Sequence, residues 1–301
     1  MQASRKQLAE DLSFSTFVHG YWRLTDWNLS TQQIDTLINQ GLDLGITTID
    51  HADIYGDYEC EAIFGKALAA NPALRHKIEL VSKCGIMLLS DKFPDRKIKY
   101  YDYSYEHIVK SAENSLSNLS TDYLDVLLLH RPSPLFDPAE VSRAFEDLQA
   151  SGKVRYFGVS NFTPQQTSTL QMYCSAPLVT NQVEISVNCL EHFENENIDY
   201  MLQHKIKPMA WSPLAGGKLF STANKDRIPV LEVVHDIAQQ LNTDIATVMY
   251  AWLLKHPADI MPIIGSGKIE RIKEAVAAET VELSDQDWFA IYTATLGNEV
   301  P

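Results

Sequence analysis

The sequence predicts an α/β protein folded as a closed (β/α)8 TIM barrel with an N-terminal hairpin and extra helices. Three observations carry that expectation. Apolar runs of strand length alternate with amphipathic helical patterns along nearly the whole chain, as repeated β-α units do. The runs number eight, which suits closure, and no GxGxxG turn follows the first of them, as the competing doubly wound open sheet would require. At 301 residues the chain fits one barrel, usually about 250 residues before additions.

In chain order, a possible hairpin arm at 8–14 precedes the first strand at 17–22. The second strand, 47–50, is short and rich in β-branched residues, the composition of a strand buried on both faces. Further strands are predicted at 78–83, 124–130, 156–160, 179–183, 207–211 and 260–264. Helices are expected between them at 31–44, 59–70, 105–119, 138–150, 164–173 and 198–204, and after the last strand at 268–278. Pro138 and Pro164 fall where a first-turn proline belongs, each behind a capping residue, Asp137 or Thr163. Two added helices, 229–241 and 245–256, separate the seventh and eighth strands, and 284–294 forms a terminal helix. The segment 86–105 carries Tyr100, Tyr101, Tyr103 and Tyr105 and reads equally as a flap over a cleft or as a surface loop. No Gly/Ser-rich linker divides the chain, so 1–301 is read as one domain.

Twenty-five Lys and Arg against 39 Asp and Glu give a net charge of −14, which argues against a nucleic-acid binder. No apolar run approaches a membrane span of about 18 residues, and the first residues lack the apolar core of a secretory signal. Cys60, Cys84, Cys174 and Cys189 are scattered without a CxxC pair, which fits a reducing cytoplasm. Nine histidines show no HExxH or paired Cys/His spacing, so no metal site is expected. The expected partner is a small molecule, and no obligate protein partner is evident.

Functional groups of such a barrel project from the carboxyl ends of its strands. Those ends carry Asp50, Lys83, His130, Ser160 with Asn161, Gln182 and Trp211. Tyr55, beside Gly56, follows Asp50 closely enough to form an acid-base pair. By themselves, Asp50 also reads as a cap, Tyr55 as a packing residue and His130 as a strand-end histidine satisfied by backbone.

Seven blocks then act together: DHADIYG, VSKCG, LLLHRP, GVSNF, TNQVE, WSPLAGG and IIGSGKIER. With them the chain resembles the aldo-keto reductase family over nearly its whole length, in a bacterial oxidoreductase subgroup similar also to the potassium-channel β-subunit-like branch. The resemblance implies NADPH-dependent reduction of aldehydes or ketones. Tyr55 would donate the proton, Lys83 and Asp50 would tune it, and His130 would position the substrate. A free tyrosine has a pKa of about 10, and a neighbouring ammonium eases its proton release.

For the cofactor, the resemblance implies Gly20, Tyr21 and Asp50 beside the nicotinamide end. Ser160, Asn161 and Gln182 would meet its carboxamide, and Trp211 would stack on the ring. Ser212, Leu214, Gly216, Gly217 and Lys218 form a turn able to approach a pyrophosphate. Gly265, Ser266 and Gly267 can present amides at a helix N-terminus, with Lys268 and Arg271 as a clasp for a 2′-phosphate, which favours NADPH over NADH. The chain departs from the family at Gly265 and Ala275, where lysine and asparagine are usual, and at His51, where threonine is usual and a supporting role is expected. Trp22, with Trp27, is read as an apolar wall for hydrophobic or aromatic carbonyl substrates, or as rim packing. Only 296–301 follow the final helix, which predicts an open pocket. Two other functions compete: Lys83 as a Schiff-base nucleophile, and an NADPH-binding sensor or regulatory subunit with little turnover.

Overall fold

The computed structural model describes residues 2–220 and 229–301, apart from the side chains of 218–220. Twelve strands occur among them: β1 (Arg5–Ala9), β2 (Leu12–Ser15), β3 (Val18–Gly20), β4 (Thr48–Asp50), β5 (Glu79–Cys84), β6 (Ile86–Met87), β7 (Tyr100–Tyr101), β8 (Leu124–Leu129), β9 (Val154–Ser160), β10 (Leu178–Glu184), β11 (Lys207–Trp211) and β12 (Met261–Ile264). Eight of them close into a barrel in the order β3-β4-β5-β8-β9-β10-β11-β12, every pair parallel. The expected (β/α)8 architecture is therefore present.

Strand composition explains the closure. Every residue of β8 is buried, because alternate side chains serve two different cores. Val126 and Leu128 point into the lumen with Val81, Val179, Met209, Met261 and Ile263. Leu127 and Leu129 point outward, against helices, with Leu80, Phe157 and Val159.

The arm expected at 8–14 is an antiparallel hairpin of β1 and β2 running from Arg5 to Ser15. Leu12 and Phe14 join the lumen cluster, so the hairpin closes the amino end of the barrel. Ion pairs fasten it there: Arg5 to Glu79 at 2.6 Å, Lys6 to Asp259 at 2.8 Å, and Arg155 to Asp11 at 2.9 Å. That seal leaves the carboxyl end as the functional mouth.

The outer helices start where the sequence predicts. Ser30 and Thr163 form reciprocal capping boxes before Thr31–Asp43 and Pro164–Gln171, and Asp137 caps Pro138–Ala150. Helices Cys60–Ala70 and Tyr105–Leu119 meet so closely at Gly65 that an added Cβ would lie 1.9 Å from the Asn118 carbonyl oxygen. The additions appear as Pro229–Gln240, Ile245–Leu254 and Asp285–Leu296. Among the described residues, no helix is long and apolar enough to cross a membrane.

Two local departures matter for the mouth. The first strand stops at Gly20, two residues short of its expected end, so Tyr21 and Trp22 belong to the following turn. The segment 86–105 contains a small ribbon of β6 and β7, and it is anchored. The Tyr103 hydroxyl donates to the Arg131 carbonyl at 2.6 Å, and Arg96 donates to the Tyr58 hydroxyl at 2.6 Å.

Candidate active site

At the carboxyl end, β4 and β5 are neighbours, which sets Asp50 beside Lys83. Both are almost wholly buried, and Lys83 Nζ donates to Asp50 Oδ1 at 2.7 Å and Oδ2 at 2.8 Å. Its remaining donors reach the His51 carbonyl at 2.7 Å and the Tyr55 hydroxyl at 2.9 Å. A buried ammonium needs such complete satisfaction, because desolvating it unpaired costs several kcal/mol, about the scale at which a charge would be discarded. Burial pulls the Lys83 pKa down, and Asp50 opposes that pull.

Tyr55 opens a short helix, Tyr55–Tyr58, in which Gly56 and Asp57 are left-handed. The chain folds back there, and the Tyr55 hydroxyl meets Lys83 and, more distantly, Asp50 Oδ2 at 3.5 Å. Its pKa runs against the expected lowering. Burial, then the Asp50 carboxylate, push the phenol well above its ordinary value, and Arg131 opposes them only in part. The nearby ammonium is already spent on Asp50, so Tyr55 is held protonated.

His130 follows β8 and sets its ring edge-on to Tyr55, with centroids 5.9 Å apart. Burial first, then Lys83 and Arg131, keep it well below the usual histidine range, so the imidazole is neutral near pH 7. Its Nδ1 has no partner among the described residues. Asp50, Tyr55, Lys83 and His130 are thus brought together.

The amide group adjoins them. Gln182 of β10 donates to Asp50 Oδ1 at 2.8 Å, crossing the lumen, since β4 and β10 stand opposite each other in the ring of strands. Ser160 Oγ donates to the Gln182 carbonyl at 2.8 Å and accepts from Asn161 at 2.7 Å, and Trp211 Nε1 donates to Asn161 Oδ1 at 3.0 Å. Asn161 takes a left-handed φ of 61° to make both contacts.

Beyond Trp211, the turn is left-handed at Ser212, Ala215, Gly216 and Gly217, and an added Cβ at Gly217 would meet nothing within 4 Å. Leu214 packs on the core behind this turn. The Lys218 side chain, expected at the pyrophosphate, lies outside the described residues. After β12, Gly265 is exposed, Ser266 Oγ accepts from the Lys268 amide at 3.2 Å, and Ile269–Ala277 begins. Gly267 passes against Trp27, where a Cβ would come within 2.7 Å of the ring. Lys268 and Arg271 are exposed and have no carboxylate partner among the described residues. An open glycine turn, the exposed Gly265 and two unpaired cations fit a dinucleotide phosphate chain.

The remaining candidates differ in how near they come to the cluster. Gly20 leaves room beside Asp50, since a Cβ there would strike Ile263 at 2.6 Å and approach Asp50 Oδ2 at 4.0 Å. The Tyr21 ring is buried between His51 and Phe64, so its side chain does not face the mouth; only its amide reaches the site's backbone, donating to Asp50 O at 3.0 Å. Trp22 is 52% exposed with Arg23 over its ring, whereas Trp27 stacks on His19 with centroids 6.0 Å apart. Ala275 is fully buried in the core.

Sequence reasoning gave His51 only a supporting role and passed over Asp53, Glu61 and Arg131. The His51 ring is wholly buried with neither nitrogen bonded among the described residues, and burial above all pulls its pKa down to about 3. Asp53 and Glu61 lie behind Lys83, bonded to Ser111 at 2.9 Å and Ser82 at 2.6 Å. Burial, then Glu61, push Asp53 up to about 8. One signal was available: Glu61 shares the helix face of Phe64, Gly65 and Leu68, which marks it as buried.

Residues 16–294 match the Aldo/keto reductase family. The chain is 51% identical over 290 residues to the oxidoreductase YdhF of Escherichia coli, covering 96% of each chain. It is 43% identical over 297 residues to a 6-dehydroglucose reductase of Agrobacterium fabrum, covering 98% of this chain and 99% of that one. A Klebsiella pneumoniae aldo-keto reductase crystallised with NADPH superposes with a TM-score of 0.78 at 26% identity, covering 97% of this chain and 94% of that one.

Proposed function

The chain belongs to the aldo/keto reductase family, whose members are NADPH-dependent oxidoreductases, and we propose that it reduces aldehydes or ketones to alcohols with Tyr55 as general acid. The observation that carries this reading is the Lys83 ammonium, held between Asp50 at 2.7 Å and the Tyr55 hydroxyl at 2.9 Å. NADPH, when bound, would supply the hydride for the carbonyl carbon. Tyr55, kept protonated by its surroundings, gives its proton to the carbonyl oxygen. Lys83 donates to the phenolate left behind, and Asp50 keeps Lys83 charged and in line. Neutral His130 retains one N–H, which orients the carbonyl oxygen beside Tyr55.

For the cofactor, Ser160, Asn161 and Gln182 would hold the carboxamide, with Trp211 against the ring. The turn from Ser212 to Gly217 and the amides of Gly265, Ser266 and Gly267 would take the phosphates, with Lys268 and Arg271 at the 2′-phosphate. The Agrobacterium relative's name makes sugar carbonyls a substrate class to try beside the apolar ones.

The test follows reduced-nicotinamide absorbance with a panel of aldehydes. Wild type should consume NADPH, and Tyr55→Phe should lower kcat by about 10²–10⁴-fold while NADPH still binds. Tight NADPH binding without turnover, and no effect of Tyr55→Phe, would instead favour a sensor.

A further inference from the structure

The catalytic cluster is close to neutral as a unit. Asp50 and Lys83 cancel, while Tyr55 and His130 are both held uncharged near neutral pH by burial. Further groups act on them: Asp53 and Glu61 on Lys83, Lys99 on His130, and Arg131 on both Tyr55 and His130. Arg131 follows His130, and its backbone is fixed on both sides by Tyr103, whose hydroxyl donates to the Arg131 carbonyl at 2.6 Å and accepts from its amide at 3.0 Å. The guanidinium carbon lies 5.5 Å from the centroid of the Trp211 ring. Its charge reaches Tyr55, where it favours ionisation, and His130, where it opposes protonation.

Arg131 is half-buried, and among the described residues no carboxylate pairs with it. Arg5, Arg75, Arg143 and Arg155 each end on an acid, whereas among the described residues Arg131 shares the lack of one with Arg23, Arg96 and Arg271 and differs from them in directly following His130 of the cluster. In a chain with 39 acidic and 25 basic residues, carboxylates are plentiful, yet none is set against this cation. A guanidinium fixed at its backbone, resting near an aromatic face and still holding free N–H donors is prepared for an oxygen acceptor from outside the chain.

We propose that Arg131 is a specificity-determining residue that takes a second oxygen of the carbonyl substrate, a hydroxyl or carboxylate near the reacting carbon. Oxygen-rich carbonyl compounds are then preferred over the hydrophobic ones that Trp22 alone suggests. This rests on the reductase reading above and deepens it. The gain follows from hydrogen bonds to a charged donor and amounts to about tenfold to a hundredfold in kcat/KM.

The experiment compares propanal, 2-hydroxypropanal and 4-oxobutanoate as substrates of the whole protein at saturating NADPH, for wild type, Arg131→Gln and Arg131→Lys. NADPH affinity is measured in parallel by quenching of tryptophan fluorescence. Wild type should favour one or both oxygenated substrates over propanal, and in Arg131→Gln the ratio should fall to about one with NADPH affinity retained. If the carboxylate is the natural acceptor, Arg131→Lys keeps part of the 4-oxobutanoate preference. If it is the hydroxyl, the loss of the planar fork removes the 2-hydroxypropanal preference as well. Equal rates on all three in wild type, or a preference that survives Arg131→Gln, overturns the proposal and leaves the reductase reading intact. Weaker NADPH binding with an unaltered preference also overturns it, because Arg131 then serves the cofactor. No turnover of any of the three overturns this inference, and the reductase reading falls with it only when the wider aldehyde panel is also left unreduced.

Discussion

His51 shows what a single residue costs this fold in acid. Its pKa is about 3 when folded against an ordinary 6.5, and that of the neighbouring buried His19 is about 4. The unfolded chain therefore takes up the protons first. Stability from these rings is complete above about pH 6.5 and drains away as the pH falls toward their folded values, by about 1.4 kcal/mol per unit for each ring. Asp53 acts in the opposite sense. Raised to about 8 from 3.8, it keeps its proton when folded, so its contribution grows as the pH falls through that range. A variant comparison separates the two. His51→Thr should show a shallower fall in Tm between about pH 7 and about pH 5 than wild type, and parallel curves would mean that His51 takes no part. Strand-end position made Asp50, Lys83 and His130 legible in the sequence. The raised pKa of Tyr55 was not, because spacing reports that an ammonium is near but not how dry the site is, nor that Asp50 claims that ammonium first.

Secondary-structure elements were legible where local chemistry marks their ends. Asp137 and Thr163 start helices where expected, since a side chain two or three residues ahead of an apolar face acts locally. The short helix Tyr55–Tyr58 was missed because Gly56 and Asp57 are left-handed, and a Gly-Asp pair reads as a turn. The hairpin was expected only at 8–14, because β1 begins with three polar residues and buries none of its five, and its partner strand carries the buried apolar residues. Those residues allow a direct check. Phe14 is fully buried in the lumen, so Phe14→Ala should cost about 3–5 kcal/mol in urea unfolding. With the hairpin at the far end from the site, NADPH affinity of the folded variant should hold, and a loss of less than about 1 kcal/mol would show that the hairpin does not fill the barrel floor.

At the scale of the molecule, eight apolar runs made the closed barrel legible, whereas contacts made by closure were not. Gln182 and Asp50 are 132 residues apart, and no local pattern announces that they touch. Charge gives the prediction at this scale. The whole chain carries −14, yet Lys268 and Arg271 stand exposed without acidic partners among the described residues. Lys268→Ala with Arg271→Ala should weaken NADPH binding by at least about tenfold, leave NADH binding nearly unchanged and flatten the salt dependence. Equal losses for both nucleotides would remove the 2′-phosphate from the account. The amide of Gln182 laces one wall of the hoop to the other like a spoke. A screen that sorts changes at position 182 by nucleotide affinity alone would misfile them, because slackening that spoke also lets the carboxylate opposite drift from the lysine it steadies.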